Sequence, residues 1–467
     1  VKATMSEAGL RAAQEKMRAA DVAPAAIEVF SHYYRQLEEG ATGLIGEESI
    51  SPLRDPFRLA DVQVDEEAAR EALASTVIVK LNGGLGTSMG LDRAKTLLPV
   101  RDGRTFLDLI VAQVRHARRA WGAPLPLLFM DSFRTHEDTL HALEPYPDLA
   151  VDGFPLDFLQ NQEPKLLAED LTPVSWPADP SLEWCPPGHG DLYSAILASG
   201  ALAALVDRGY RYAIVSNADN LGAAPDARLA GWFAQSGAPY ASEVCRRTPA
   251  DRKGGHLAVR RSDGRLILRE SAQTSPEDMD AFTDEKRHAY FNTNTMWIDL
   301  RAVHEALTQR GPVLGLPLIR NTKTVDPTDP RSPKVIQIET AMGAAIEVFD
   351  GATAIEVGRD RFLPVKTTND LLLLRSDAYR LGDEGVPRLV AQEAPLVDLD
   401  PRYYRTIGDF DARFPDGPPS LRSAVSLHVR GDWTFEARTA VTGVAALKDA
   451  GQPRQLAAGS TIGSADS

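Results

Sequence analysis

Residues 76–90 read TVIVKLNGGLGTSMG, and this stretch decides the fold class. Thr76 to Leu81 is a compact β-branched run, and Asn82-Gly83-Gly84 stops it. Four glycines between Gly83 and Gly90 let backbone N–H groups face an anion without interference from a Cβ. A loop of this kind straight after a buried strand suits a phosphate. It is not a Walker A loop, because Leu91-Asp92 stands where Lys-Ser/Thr is needed. It is not a dinucleotide fingerprint either, since Met89 replaces the third glycine after Gly84 and Gly86. The loop reads as a phosphate cradle of another type, or else as a glycine-rich tight turn.

Working outward, strands and helices alternate. Thr105 to Ala120 places Phe106, Leu109, Ile110 and Val114 at helical spacing. Pro126 to Met130 reads as a second strand, Asp191 to Asp207 as an Ala/Leu-rich helix, and Arg211 to Ser216 (RYAIVS) as a third strand. That alternation predicts a mostly parallel α/β sheet, with ligands beyond the carboxyl ends of its strands. On the amino-terminal side, Val1 to Asp21 reads as an amphipathic helix with Leu10, Ala13 and Met17 on one face, and Glu66 to Leu73 as a short helix. Further on, strands are expected at 240–245, 264–270 and 289–299, a surface loop at 326–333 and a helix from Thr340 to Phe349. After about residue 385 the segments Ala424 to Val429, Trp433 to Ala437 and Ala440 to Leu447 read as short strands of a small all-β solenoid or sandwich. The Gly/Ser/Ala-rich end, Gly451 to Ser467, is expected to fray.

The chain has 467 residues, which suits two or three domains and a large core. A net charge of −14 argues against a nucleic-acid backbone as the main partner, although a local pair of lysines can still hold a phosphate. No stretch approaches a membrane span, and the start lacks an apolar signal core. Two cysteines, Cys185 and Cys245, are too few for a disulfide scaffold and read as buried thiols in a reducing compartment, hence a cytoplasmic location.

Four clusters carry chemistry. Lys95 follows the glycine loop and is either a phosphate-reaching point charge or a solvated lysine. Residues 186–191 (PPGHGD) flank His189 with glycines, so His189 either meets a ligand or makes a structural hydrogen bond in a turn. Residues 216–222 (SNADNLG) close a hydrophobic strand with Asp219, which suits Mg²⁺ when phosphates complete its shell and equally suits an Asx turn. Residues 362–370 (FLPVKTTND) offer Lys366 as an anion site at a helix start capped by Thr368 or Asn369.

Taken together, KLNGGLGTSMGLDRAKTLLPV at 80–100, PPGHGD, SNADNLG, KGGHL at 253–257, FNTNTMW at 291–297, IQIETAMGAAI at 336–346 and FLPVKTTNDLLL at 362–373 closely resemble the eukaryotic-type UTP–glucose-1-phosphate uridylyltransferases, in the family's order. The resemblance runs from about residue 25 over nearly the whole chain. It implies a GT-A-like, Rossmann-type catalytic domain at 71–385, after an N-terminal helical segment at 1–70. It further implies a C-terminal left-handed β-helix at 386–467. It implies that Leu81, Asn82, Gly83 and Gly84 hold the nucleotide through their backbone, that Gln160 (in FLQNQEP) reads uracil, and that Gly188 faces the base and His189 the sugar phosphate. Asn217 would touch the ribose side, Asp219 would bind Mg²⁺, and Lys95 and Lys366 would bind phosphates. Gly255, Glu270, Asn292 and Asn294 would build the glucose pocket.

The implied reaction joins UTP and glucose 1-phosphate to give UDP-glucose and pyrophosphate, reversibly. A sugar 1-phosphate is already mostly ionised at pH 7, so no general base is needed and the required parts are electrostatic. The readings that compete with this are a pyrophosphorylase for UDP-N-acetylhexosamine or a broad range of sugars, a non-catalytic UDP-sugar-binding protein, and a glycosyltransferase on the same fold. An exposed C-terminal β-unit would also allow end-to-end association of copies.

Overall fold

The computed structural model describes residues 2–248 and 251–464. Its central sheet contains β1 (Phe57–Arg58), β2 (Thr76–Leu81), β3 (Leu127–Asp131), β4 (Asp157–Leu159), β5 (Tyr212–Asn217), β6 (Tyr240–Arg246), β7 (Tyr290–Asp299) and β8 (Thr353–Glu356). Their spatial order is β1-β8-β6-β7-β5-β2-β3-β4. All neighbours run parallel except β7, which is antiparallel to both β5 and β6. The expected parallel-rich α/β sheet is therefore present, as a mixed sheet. Three further strands, Ile50–Pro52, His256–Arg260 and Leu266–Arg269, branch from it.

The run at 76–81 carries Val77, Ile78 and Val79 in succession because both of its faces are covered. Ile78 joins Phe129 and Ile214 in one core, together with α3 (Phe106–Trp121). Val77 and Val79 join Leu128, Met130, Ala213 and Val215 in the core on the opposite face. Thr105 caps α3 in a reciprocal box with Asp108, and Gly122 ends it in the left-handed region. Ahead of the sheet, α1 (Lys2–Ala19) and α2 (Pro24–Glu38) pack together, and Leu10, Ala13 and Met17 are buried on one face as expected. Val1 lies outside the described residues.

Several expectations change in tertiary context. The helix read across 191–207 is two helices, α4 (Leu192–Ala198) and α5 (Ala201–Asp207), meeting at 67° where Gly200 takes a φ of +77°. The segment 340–349 is not an α-helix but 3₁₀ turns over Met342–Glu347. Its backbone is used elsewhere: the Met342 N–H donates to His189 Nδ1, and the Thr340 carbonyl accepts the Gly190 N–H. The helix at 362–373 is α6 (Thr368–Arg375), capped by Thr367, one residue before the expected position.

In the last part of the chain, β9 (Leu396–Asp398), β10 (Ser420–Val429), β11 (Ala440–Leu447) and β12 (Thr461–Gly463) form one parallel ladder, beside a parallel pair Trp433–Phe435 and Arg454–Leu456. The region is not all-β, since two short helices, Pro401–Tyr404 and Ile407–Arg413, precede β10. The tail expected to fray carries the strands Arg454–Leu456 and β12, and residues 465–467 lie outside the described residues. Among the described residues no single helix is long and apolar enough to cross a membrane, and both cysteines are buried and unpaired.

Candidate active site

The ends of β2 and β5 lie side by side, with Leu81 opposite Asn217 and the Ala218 N–H donating to the Leu81 carbonyl at 3.0 Å. The glycine loop and the SNADN turn therefore leave the sheet together, at the carboxyl ends of adjacent parallel strands. Beneath them, Lys80 is fully buried and donates to Ser216 Oγ (2.8 Å) and the Ala223 carbonyl (2.9 Å), joining the two turns from below. Burial pulls its ammonium pKa down to about 7.

The Asn82 side chain turns away from the loop. Its amide donates to Asp131 Oδ1 (2.7 Å) and Thr139 Oγ1 (2.9 Å), and its oxygen accepts from Thr96 (2.8 Å). Asn82 thus ties the start of the loop to the residue after Lys95, and since its N–H donates to the Met130 carbonyl at 2.8 Å, only its backbone carbonyl remains for a ligand. Lys95 crosses to the second turn, with Nζ 2.7 Å from Asp219 Oδ2 in a partly exposed pair. The two residues expected to hold phosphate and metal are therefore direct neighbours, although 124 positions separate them.

Gly83 lies against Gln160, and a Cβ there would stand 2.6 Å from Gln160 Oε1. A side chain at this position would displace the Gln160 amide by close approach, with no positive φ involved. Gly188 needs both freedoms: its φ is +78°, and a Cβ would lie 2.5 Å from the Thr340 carbonyl oxygen. Because His189 Nδ1 accepts the Met342 N–H at 2.9 Å, the neutral ring carries its proton on Nε2. Burial holds its pKa below the usual value, so the ring stays a neutral donor.

On the far wall, Asn220 Oδ1 accepts the Leu363 N–H (2.8 Å) and its amide donates to the Arg361 carbonyl (3.1 Å). This stitches the turn bearing Asp219 to the segment bearing Lys366. Arg361 is itself held by a buried pair with Glu243, Nε to Oε2 at 2.7 Å. Asp370 accepts the N–H groups of Lys366 and Thr367, both at 2.8 Å. The exposed Lys366 ammonium stands 6.0 Å from the centre of the Phe362 ring. Glu270 has its carboxyl pKa raised by burial, an effect that the charges of Lys366 and Arg247 oppose. That carboxyl covers Gly255, whose carbonyl accepts the Asn292 N–H at 2.9 Å. Asn292 donates to Asn294 Oδ1 (2.8 Å) and touches Gly343, next to Met342. Asn294 holds a φ of +56° within β7, a local strain of the kind found at ligand clamps.

Gly83 lies against Gln160, Lys95 joins the glycine loop to Asp219, and Asn220 ties that turn to the segment bearing Lys366. Glu270 covers Gly255, Gly255 bonds Asn292, and His189 bonds Met342. Sequence reasoning gave no role to three supports, Lys80, Asp131 and Asp191. Lys80 and Asp191 stood inside quoted motifs, so a signal was present, whereas Asp131 closes an ordinary-looking strand. Asp131 Oδ1 accepts from Asn82, Thr135 and Thr139, while Oδ2 has no hydrogen-bond partner among the described residues. Burial pushes its pKa up to about 7.

Residues 27–442 match the family described as UTP–glucose-1-phosphate uridylyltransferase. The enzyme of that name from Solanum tuberosum is 38% identical over 415 residues, covering 88% of this chain and 84% of its own. The one from Saccharomyces cerevisiae is 40% identical over 350 residues, covering 74% and 68%. A crystal structure of a UDP-glucose pyrophosphorylase mutant from Leishmania major in complex with UDP-glucose superposes with a TM-score of 0.91 at 42% identity, covering 97% of this chain and 98% of that one. The UDP-glucose phosphorylase structure from Trypanosoma brucei gives a TM-score of 0.89 at 41% identity, with the same coverage.

Proposed function

The chain belongs to the UTP–glucose-1-phosphate uridylyltransferase family, it makes UDP-glucose and pyrophosphate from UTP and glucose 1-phosphate, and we propose that the transfer is a direct, in-line attack of the sugar phosphate on the α-phosphorus of UTP. The pairing of Lys95 with Asp219 (2.7 Å), between two turns that leave adjacent strand ends, carries this reading. Two lysines, the carboxylates of Asp219 and Glu270, a glycine loop and a neutral imidazole donor make an electrostatic and positioning apparatus. The attacking phosphate oxygen is already ionised at neutral pH, so the transfer needs no general base. His189 accordingly serves as a donor to the sugar phosphate.

In this reading the backbone of Leu81 to Gly84 and the Gln160 amide hold the nucleotide, Gly188 faces the base, and Asn217 faces the ribose. Lys95 receives the leaving pyrophosphate. Lys366 bridges the attacking and α-phosphate oxygens, and Gly255, Glu270, Asn292 and Asn294 hold the glucose. Asp219 would hold Mg²⁺. The donor set fits, because Mg²⁺ is served by one carboxylate with phosphate oxygens and water, and Asp219 lies just past the end of β5, beside the glycine loop. When bound, the ion supplies charge neutralisation at the phosphates. Lys95 and Asp219 neutralise each other at 2.7 Å, so each is released for its own partner when phosphates arrive.

The sheet order and its parallel neighbours support a GT-A-like, Rossmann-type catalytic domain over 71–385, following the helical segment 1–70. The parallel ladder of β9 to β12 supports a left-handed β-helix domain within 386–467. Exposed Leu396, Val425 and Val444 on that ladder support association of copies through it. The two buried thiols suit a cytoplasmic enzyme. The test is pyrophosphate release from UTP and Mg²⁺ with glucose 1-phosphate, galactose 1-phosphate or N-acetylglucosamine 1-phosphate. Release that depends on glucose 1-phosphate is expected. Release only with another sugar would move the specificity, and UTP binding with no release for any sugar would overturn the transferase reading.

A further inference from the structure

Gln160 stands, half-buried, at the edge of the central sheet. It follows β4, the last strand of the central sheet, which pairs with β3 on one side and, among the described residues, has no sheet neighbour on the other. A residue in a connection leaving an edge strand is ordinarily among the less constrained in a fold. Base reading demands the reverse. A primary amide presents one donor and one acceptor pole, and it matches the N3–H and adjacent carbonyl of uracil only if the poles are held in the right order and place.

Both peptide planes flanking the Gln160 Cα are pinned. The Gln160 N–H donates to the Asp131 carbonyl at 2.7 Å. The next peptide is held by Asp191, whose Oδ2 accepts the Asn161 N–H at 2.6 Å. Asp191 Oδ1 also accepts the Asn161 side-chain amide (2.8 Å) and the Ser194 hydroxyl (2.6 Å). With both planes fixed, φ and ψ of Gln160 are fixed, and so is the direction in which its side chain leaves the backbone toward Gly83. Asp191 is only 4% exposed. Three donors converge on its two oxygens, a demand that a carboxylate meets and that a neutral residue of the same size, with one acceptor, does not. Burying a carboxylate is costly, and here burial pushes its pKa up to about 6 against these hydrogen bonds.

We propose that Asp191 is a positioning residue for base selection, clamping Asn161 by backbone and side chain so that Gln160 presents its amide to the pyrimidine in one orientation. This rests on Gln160 being the uracil-reading residue. The test compares wild type with Gln160→Ala, Asn161→Ala and Asp191→Ala, using UTP or CTP at saturating glucose 1-phosphate and a thermal melt for each variant. Asn161→Ala removes one arm of the clamp and leaves Asp191 and the Asn161 N–H in place, so it keeps the question open to measurement even where Asp191→Ala does not fold. The expected result is a fall of at least ~10-fold in the UTP-over-CTP preference in kcat/KM for Asn161→Ala, larger for Asp191→Ala, approaching that of Gln160→Ala. KM for UTP should rise while kcat changes by less than ~3-fold in Asn161→Ala. If Gln160→Ala loses the preference and the two clamp variants keep it, Asp191 is a loop tie and the proposal is overturned. If Gln160→Ala itself keeps the preference, the base is read elsewhere, and both the premise and the proposal fall.

Discussion

Gly255→Ala is the substitution that most directly tests the proposed sugar pocket. A Cβ at this position would lie 2.5 Å from Glu270 Oε2, and 2.6 and 2.8 Å from its Cδ and Oε1. Ordinary contact starts near 3.4 Å, so the carboxyl must retreat by about 0.9 Å. The backbone of Gly255 is outside the left-handed region and accepts alanine without strain. What must move is the end of a flexible side chain, so stability should change by less than ~1 kcal/mol. A displacement of about 1 Å in a group that positions a substrate costs on the order of 100-fold in rate. Steady-state pyrophosphate release, with each substrate varied in turn, should therefore show kcat/KM for glucose 1-phosphate falling ~100-fold and KM for UTP within ~3-fold of wild type. An unchanged kcat/KM for glucose 1-phosphate in a variant that melts like wild type would refute the placement of the sugar over Gly255 and Glu270. Equal losses for both substrates would mean that the methyl group distorts the whole cleft.

Lys366→Ala should lower kcat at least ~100-fold, the scale of one charge contact made in the transition state, and a loss confined to KM would remove Lys366 from the bridging role. Asp219→Asn should shift the Mg²⁺ titration of activity to higher concentration, and an identical titration curve would exclude it as the ligand. Stability should depend on pH through Asp131. Its folded pKa, raised by burial to about 7, exceeds the unfolded value of 3.8, so the native state holds the extra proton and loses stability as pH rises between them. Asp131→Asn keeps an acceptor for Asn82, Thr135 and Thr139. Chemical denaturation from pH 4.5 to 8 should show it gaining on wild type with rising pH, by at most about 1.4 kcal/mol per pH unit, and parallel curves would count against a buried, proton-linked Asp131.

Much was legible along the chain, because hydrophobic periodicity, turn residues and caps record local hydrogen bonding and one-sided burial. Thr76–Leu81 is a strand over the range read from its β-branched run, and Gly83, His189, Asp219 and Lys366 all stand where strands or helices end. Local pattern failed where backbone groups were claimed from a distance. Residues 340–349 have helical composition, yet the Thr340 carbonyl, which an α-helix would pair with the Ala344 N–H, accepts the Gly190 N–H, and the Ala344 N–H closes a 3₁₀ turn on Ala341. Likewise Gly200 could sit within a helical pattern on composition alone, and only its left-handed φ shows the 67° break.

The sequence by itself determined which segments become strands, where the chain turns, and which residue types wait at those turns. Only the tertiary structure decided that Lys95 meets Asp219, that Gly83 and Gly255 are small to admit Gln160 and Glu270, and that Asp191 holds Asn161. Secondary structure is set by bonds between near neighbours in the chain. Pairing across more than a hundred residues depends on which strand lies beside which, and that is settled by burying both faces of the sheet at once.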